Sequence, residues 1–438
     1  MGSAARIARM ARTAIVLGAL FVTFCTPAAA QVTAFVGGRV IDGTGQVIES
    51  ATVVVRDGTI AEVGPAASVR VPEGATRVDT RGKTLMPGIV NAHGHLSAVD
   101  GLKSGPQYYT RANLERQLRA YATYGVTTVF SLGDDQADAF ALRAEQAAAP
   151  PARARVFVAG PIVYTDTAEA ARVETDKVIA LTPDLVKIRV DDNLGTSRKM
   201  PEAAWRATLE RAKAAGLTLA AHIFYLADAK ALAEAGNTFI AHSVRDLPVD
   251  DAFLAAMRRG NQCYSPTLMR EVSTYVYEST PSWANDPFFR RGHNAALAGE
   301  ISNANRQAQF RASPPWALGQ KYKAGLEVAK ANLKRVHDAG IRVAFGTDTG
   351  PAGRFQGFFE HLELEMMVQA GLTPMQALVS ATGTAAACWG KQGVIGTIAR
   401  GAQADLLVLA KNPLDDITHT RALEAIYIGG RRFAPAAP

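Results

Sequence analysis

Two histidines separated by one glycine, His93 and His95, close an apolar run from Leu85 to Leu96. If that run is a strand, residues two apart project to the same side, so both imidazoles leave one strand end together. Gly94 between them leaves room beside the backbone. Imidazoles grouped in this way suit a divalent transition metal; a polar strand end with two ordinary histidines is the alternative. A ligand pair is only part of a site, so its partners must come from elsewhere in the chain.

Four further positions have the same character. Lys187 lies inside Asp184–Arg189, where Val186 and Ile188 bracket a residue out of keeping with a buried strand. His222 ends the run Leu219–His222, His242 ends Phe239–His242, and Asp348 follows Val343–Thr347. Each alone has a plain structural reading: a snorkelling lysine, a satisfied core histidine, or an aspartate capping the next helix. They become one site only if an architecture brings these chain segments to one place.

The middle of the chain alternates short apolar runs with longer amphipathic segments, which predicts an α/β fold of repeated βα units around a parallel sheet. Eight strands are expected, at 88–96, 127–132, 155–159, 185–190, 217–224, 238–243, 261–268 and 341–347. Helices are expected at 201–214, 226–235, 249–259 and 326–339. Eight such units predict a (β/α)8 TIM barrel, whose active site is built at the C-terminal strand ends. All six candidate residues fall there. Before residue 86 and after 394 the pattern changes to short β-rich runs with glycine turns, Asp57-Gly58 being a strong hairpin signal. The expected organisation is a β-sandwich from residues 31–86 plus 394–438, and the barrel over 87–393.

Residues 1–30 read as a secretory signal peptide: Arg6, Arg9 and Arg12 precede the apolar run Ala14–Phe24, and Thr26–Ala30 supplies small residues for cleavage after Ala30. Eleven residues are too few to cross a bilayer, which takes about 20, so no stable membrane anchor remains after cleavage and the protein is expected to be periplasmic or secreted. Removing this segment lowers Lys+Arg from 47 to 44 against 40 Asp+Glu, so the net charge of +7 falls to +4. No basic stripe with interleaved aromatics is present, which argues against a nucleic-acid partner and for a small-molecule substrate. Cys263 and Cys388 sit in settings that read as core packing, so free buried thiols are expected.

The ordered set of His-x-His, Lys, His, His and Asp resembles the amidohydrolase superfamily, in its prolidase-like and imidazolonepropionase-like branch. The resemblance is carried by Met86-Pro-Gly-Ile-Val-Asn-Ala-His-Gly-His95, Lys187, His222, His242, Gly346-Thr-Asp348, the helix 373–387 and the closing segment Gly393–Leu409. It implies a binuclear centre in which His93 and His95, helped by Asp348, hold one metal and His222 and His242 hold the second. Lys187 would bridge them as its carbamate, since a protonated lysine would repel two cations. The ligand set suits zinc. Two metals about 3.5–4 Å apart generate hydroxide at neutral pH and polarise a carbonyl. Asp348 would act as general base and then general acid toward the leaving nitrogen.

The resemblance further implies an amide substrate, a dipeptide or N-acyl amino acid; a cyclic amide, lactone or carbamate is the alternative, and a non-catalytic binding protein is a third. Ile223-Phe224-Tyr225 departs from related dipeptidases after His222. Tyr225 is a candidate substrate contact, and Arg245 and Arg189 are candidates for an anionic group, against helix packing and ordinary salt bridges. Residues 269–322 form an unusually long connection containing Tyr275, Tyr277, Trp283, Phe288, Phe289, Phe310 and Trp316. An aromatic cover over the site is expected; a separate minicore, or a subunit contact in a homo-oligomer, is the alternative. His293, His337, His361 and His419 are read as structural.

Overall fold

The computed structural model describes residues 32–435; the signal peptide read over residues 1–30 lies outside them. Val32–Ile41, Val47–Arg56 and Thr59–Pro65 run antiparallel in succession, the last two joined by Asp57 and Gly58, both at positive φ (49° and 82°). Glycine at the second position relieves the strain of that tight turn. Thr84–Pro87 pairs parallel with the first strand and antiparallel with Leu406–Leu409 from the far end of the chain. Leu423–Ile428 and Arg431–Arg432 extend the sheet. By hydrogen bonding these terminal strands form one sheet, with Phe35 edge-on to Tyr427 at 4.8 Å and Val53, Ile60, Leu406 and Val408 buried in a common core.

Eight parallel segments follow in chain order. Ile89–Gly94 pairs with Val126–Ser131, which pairs with Arg155–Val158. Val186–Val190, Leu219–Ile223, Phe239–Ala241, Cys263–Ser265 and Arg342–Val343 make a second parallel run. The two runs meet on both sides: Asp184 N donates to Val158 O (2.8 Å) and Val163 N to Lys187 O (2.9 Å), while Ala92 N donates to Phe345 O (2.9 Å) and Thr347 N to His93 O (3.1 Å). Hydrogen bonding therefore passes round eight strands and returns to the first. Between strands lie helices such as Glu202–Ala214, Leu226–Glu234 and Asp251–Arg259. The helix expected at 326–339 is longer, Pro314–Asp338, because two prolines start it.

Val90, Ala92, Ala220 and Ala241 face the interior with Phe130 and Phe239, and Trp389 stacks on both phenyl rings (5.2 and 4.3 Å) while donating from Nε1 to Ala92 O (3.1 Å). The same packing corrects the reading of the cysteines. Ala385–Cys388 lies against the interior floor, so Cys388 comes within 6.1 Å (Cα–Cα) of Cys263 and the two form a disulfide. A second tie links the terminal sheet to the ring, where buried Arg155 makes a two-pronged ion pair with Asp405 (both 3.0 Å) and Asp405 also accepts from Gly429 N (2.7 Å).

The Cys263→Ala/Cys388→Ala protein is expected to lose about 2–4 kcal/mol of stability, read as a lower denaturant midpoint; an unchanged midpoint would show that the crosslink adds nothing.

Candidate metal centre

His93 is wholly buried within its strand and His95 follows it. Asp348 reaches both from the turn after Arg342–Val343: its Oδ1 is 3.3 Å from His93 Nε2 and 2.8 Å from His95 Nε2. One ligand atom from each of the three lies within 4.8 Å of the others, a grouping able to hold a cation. Asp348 takes a left-handed conformation (φ 59°) with its N–H on His93 O (2.7 Å). For a non-glycine residue that backbone is costly and here it points the carboxylate at the histidines. Its second oxygen, Oδ2, accepts from the Arg354 guanidinium. Burial works against ionisation of Asp348, but Arg354, His93 and His95 outweigh it and hold the carboxyl well below the ordinary range.

Lys187 is buried, with Nζ 3.5 Å from His93 Nε2. Burial pushes its amine down to about 7, with Asp348 pulling the other way. A neutral amine is thus accessible near neutral pH.

His222 and His242 form the adjoining half, the rings of His93 and His242 lying 4.6 Å apart. His222 Nε2 is 2.8 Å from Asp191 Oδ2 and His242 Nδ1 is 2.6 Å from Thr267 Oγ1. Their remaining nitrogens, His222 Nδ1 and His242 Nε2, face one another at 2.9 Å. A carboxylate only accepts, so Asp191 places the His222 proton on Nε2 and leaves a lone pair on Nδ1. The Thr267 hydroxyl can likewise take the His242 proton at Nδ1. Burial pushes the His222 imidazole down to about 3 against the pull of Asp191, and His242 well below its ordinary range. Two neutral rings presenting lone pairs toward one point form a donor set that fits a cation.

The structure thus brings together the six residues singled out in the sequence. The expected substrate contacts fare differently. Tyr225 donates to Asp192 Oδ1 (2.9 Å) and lies under the Lys199 ammonium (4.3 Å), and Arg189 donates to Asn193. Arg245 is a correction: its side chain is wholly buried, ion-paired with Glu271, bonded to Ile223 O and stacked on Phe224. It has no face for an anion. The aromatic segment is also corrected. Trp283 packs on Phe289, Phe355, Phe358 and Phe359 (5.0–5.9 Å), a minicore against the helix Phe358–Gln369 rather than a cover of the histidines. His361 is structural as expected, held by Tyr124 O and Thr420 Oγ1.

Three contributors escape sequence reading. Asp191 sits at a strand end exactly as His222 does, which was the available signal. Asn91 precedes His93 by two residues, so its side chain shares a side with it, and it donates to Glu360 Oε1 (2.6 Å) with Thr347 and Thr349 (2.9 and 2.7 Å). Arg354 carries no spacing signal.

Residues 84–432 match the Amidohydrolase family. The chain is 25% identical over 463 residues to ochratoxinase of Aspergillus niger, covering 92% of this chain and 87% of that protein. The fold matches that of a putative prolidase from Bifidobacterium longum (TM-score 0.73, 23% identity, 93% of this chain and 96% of that one). It likewise matches a Xaa-Pro dipeptidase with bound methionine in its active site (TM-score 0.72, 18% identity, 92% and 100%). The chain belongs to the amidohydrolase family, a metal-dependent hydrolase of amide carbon–nitrogen bonds.

Proposed function

We propose that this protein is an exported binuclear amidohydrolase that cleaves the amide bond of a dipeptide or N-acyl amino acid with a free carboxylate. The observation that carries the reading is the pair of lone pairs on His222 Nδ1 and His242 Nε2, 2.9 Å apart, beside the His93, His95 and Asp348 cluster. The eight-strand circuit is read as a (β/α)8 barrel over 87–393, and the terminal segments 31–86 and 394–438 as a β-sandwich. The prolidase, dipeptidase and ochratoxinase likenesses support an amide substrate. A disulfide supports an oxidising compartment, in keeping with the signal-peptide pattern of residues 1–30.

His93, His95 and Asp348 would hold one divalent cation, His222 and His242 a second, and Lys187, as its carbamate, would bridge them; zinc suits this set. When bound, the cations would supply acidity to water and polarise the scissile carbonyl. The depressed amine of Lys187 is the nucleophilic form that captures carbon dioxide, releasing one proton. Asp348 stays ionised at neutral pH, so a carboxylate oxygen is available to take a proton from attacking water and return it to the leaving nitrogen. Arg354 fixes the direction of that carboxylate.

A panel of dipeptides and N-acyl amino acids, assayed against cyclic amides, tests the substrate class; turnover confined to cyclic amides would overturn it. Asp348→Asn and Lys187→Ala are expected to lower hydrolysis by about 10²–10⁴-fold, and full activity with full metal content in either would sink the binuclear assignment. Asp191→Ala removes the carboxylate that holds His222 Nε2, so metal affinity by calorimetry should fall about 10–100-fold. Unaltered affinity would show that Asp191 does not orient the ligand.

A further inference from the structure

A cavity of about 600 Å³ opens beside the centre, between the segment Val99–Lys103, one face of the helix Arg111–Thr123, residues 292–300 and the turn 350–356. It contains none of the six candidate ligands, yet two of its wall residues touch them. Gly350 lies against His95: a Cβ there would meet His95 O at 2.6 Å and His95 Cβ at 2.8 Å. At this point of the wall a side chain would displace His95, so only glycine fits.

Arg354 is the second shared wall residue. Two of its three guanidinium nitrogens are committed: Nη1 donates to Asp348 and Nε donates to Ser273 Oγ (3.0 Å). Nη2 has no hydrogen-bond partner among the described residues, and the side chain lines the cavity. A planar guanidinium held at Nε and Nη1 sets the direction of its Nη2 N–H bonds, which can donate to a carboxylate oxygen. The remaining charges favour an anion there. The three acids of the wall already have cations: Asp100 pairs with Arg116 (2.7 Å), Glu115 with Arg111 (3.0 Å) and Glu300 lies 3.9 Å from Arg306. The apolar part of the wall, with Leu102, Leu297 and Phe355, suits the body of a substrate larger than a bare amino-acid backbone.

We propose that this cavity is the substrate's carboxylate pocket, in which Nη2 of Arg354 binds the anion and the apolar wall takes the adjoining side chain. The proposal rests on the amide-hydrolase reading for the substrate's identity, though the pocket itself can be tested by binding alone. The same arginine then links substrate and Asp348, so an arriving carboxylate is registered directly against the catalytic proton carrier.

The test uses N-acetyl-L-phenylalanine and its C-terminal amide, which differ in that one charge, with the metal-loaded full-length protein by calorimetry. Wild type should bind the acid about tenfold more tightly than the amide. Arg354→Met should bring the two within about twofold, with metal content measured because Asp348 loses a partner. Leu297→Trp, which leaves Asp348 and Arg354 untouched, fills the cavity and should weaken the acid at least tenfold. Equal binding of acid and amide by wild type, an intact preference in Arg354→Met with full metal, or unchanged binding by Leu297→Trp would each overturn the proposal. Binding with the expected pattern but no hydrolysis of any N-acyl amino acid would overturn the amide substrate and leave the pocket standing. Hydrolysis of the acid with the Arg354→Met preference intact would do the reverse.

Discussion

Burial of ionisable groups is the constraint on which this structure depends. His93, Lys187, His242 and Asp348 sit almost wholly out of water at one end of an apolar ring of strands, where an uncompensated charge costs several kcal/mol. The chain meets this in two ways. Burial keeps His93, His222 and His242 neutral and brings the Lys187 amine down to about 7, while the ionised Asp348 has a guanidinium on one oxygen and two imidazoles on the other. Neutral imidazoles backed by the carboxylates of Asp348 and Asp191 accept added positive charge readily, which is why the site reads as a metal centre and not as an ordinary ion-pair cluster.

Holding such groups in register requires a support beyond the strands, and the helix Phe358–Gln369 supplies much of it. Glu360 gathers Asn91 from the first strand with Thr347 and Thr349 from the turn that carries Asp348. One turn of helix later, Glu363 accepts from Leu268 N (2.8 Å) and Met269 N (2.6 Å), immediately after the Thr267 that orients His242. Two carboxylates on one helix thus tie together two strand ends that furnish candidate ligands and the turn whose threonine orients a further one, His242. At the opposite end, Trp389 and the disulfide close the floor, so the ring is braced at both mouths.

How much of this was legible in the sequence follows from the range of each interaction. The strands and the ligands at their ends were readable because period-two patterning and an ionisable residue at the end of an apolar run are local signals. His93, Lys187, His222, His242 and Asp348 each announced themselves that way. Partner choice is not local. Arg245 and Arg354 look alike in the sequence, yet one is enclosed with Glu271 and Phe224 while the other reaches Asp348, a difference set by residues tens of positions away or by loop geometry. Cys263 and Cys388, 125 residues apart, read as packing residues because their settings are apolar; nothing nearby indicates that the helix end folds against the floor.

The aromatic segment shows how a mistaken placement can still point at function. Its rings do not cover the histidines, but they are not remote from them either. Trp283 and Phe289 pack on Phe355, and the Tyr277 hydroxyl donates to Gly353 O, so the minicore grips the turn on either side of Arg354. A guanidinium that must hold Asp348 through Nη1 and keep Nη2 in a set direction needs a backbone that does not drift, because a misplacement of about 1 Å is enough to cost a site most of its effect. The 269–322 excursion therefore bears on the centre by fixing the arginine that touches it, a role that requires rings buried among themselves rather than displayed to a substrate.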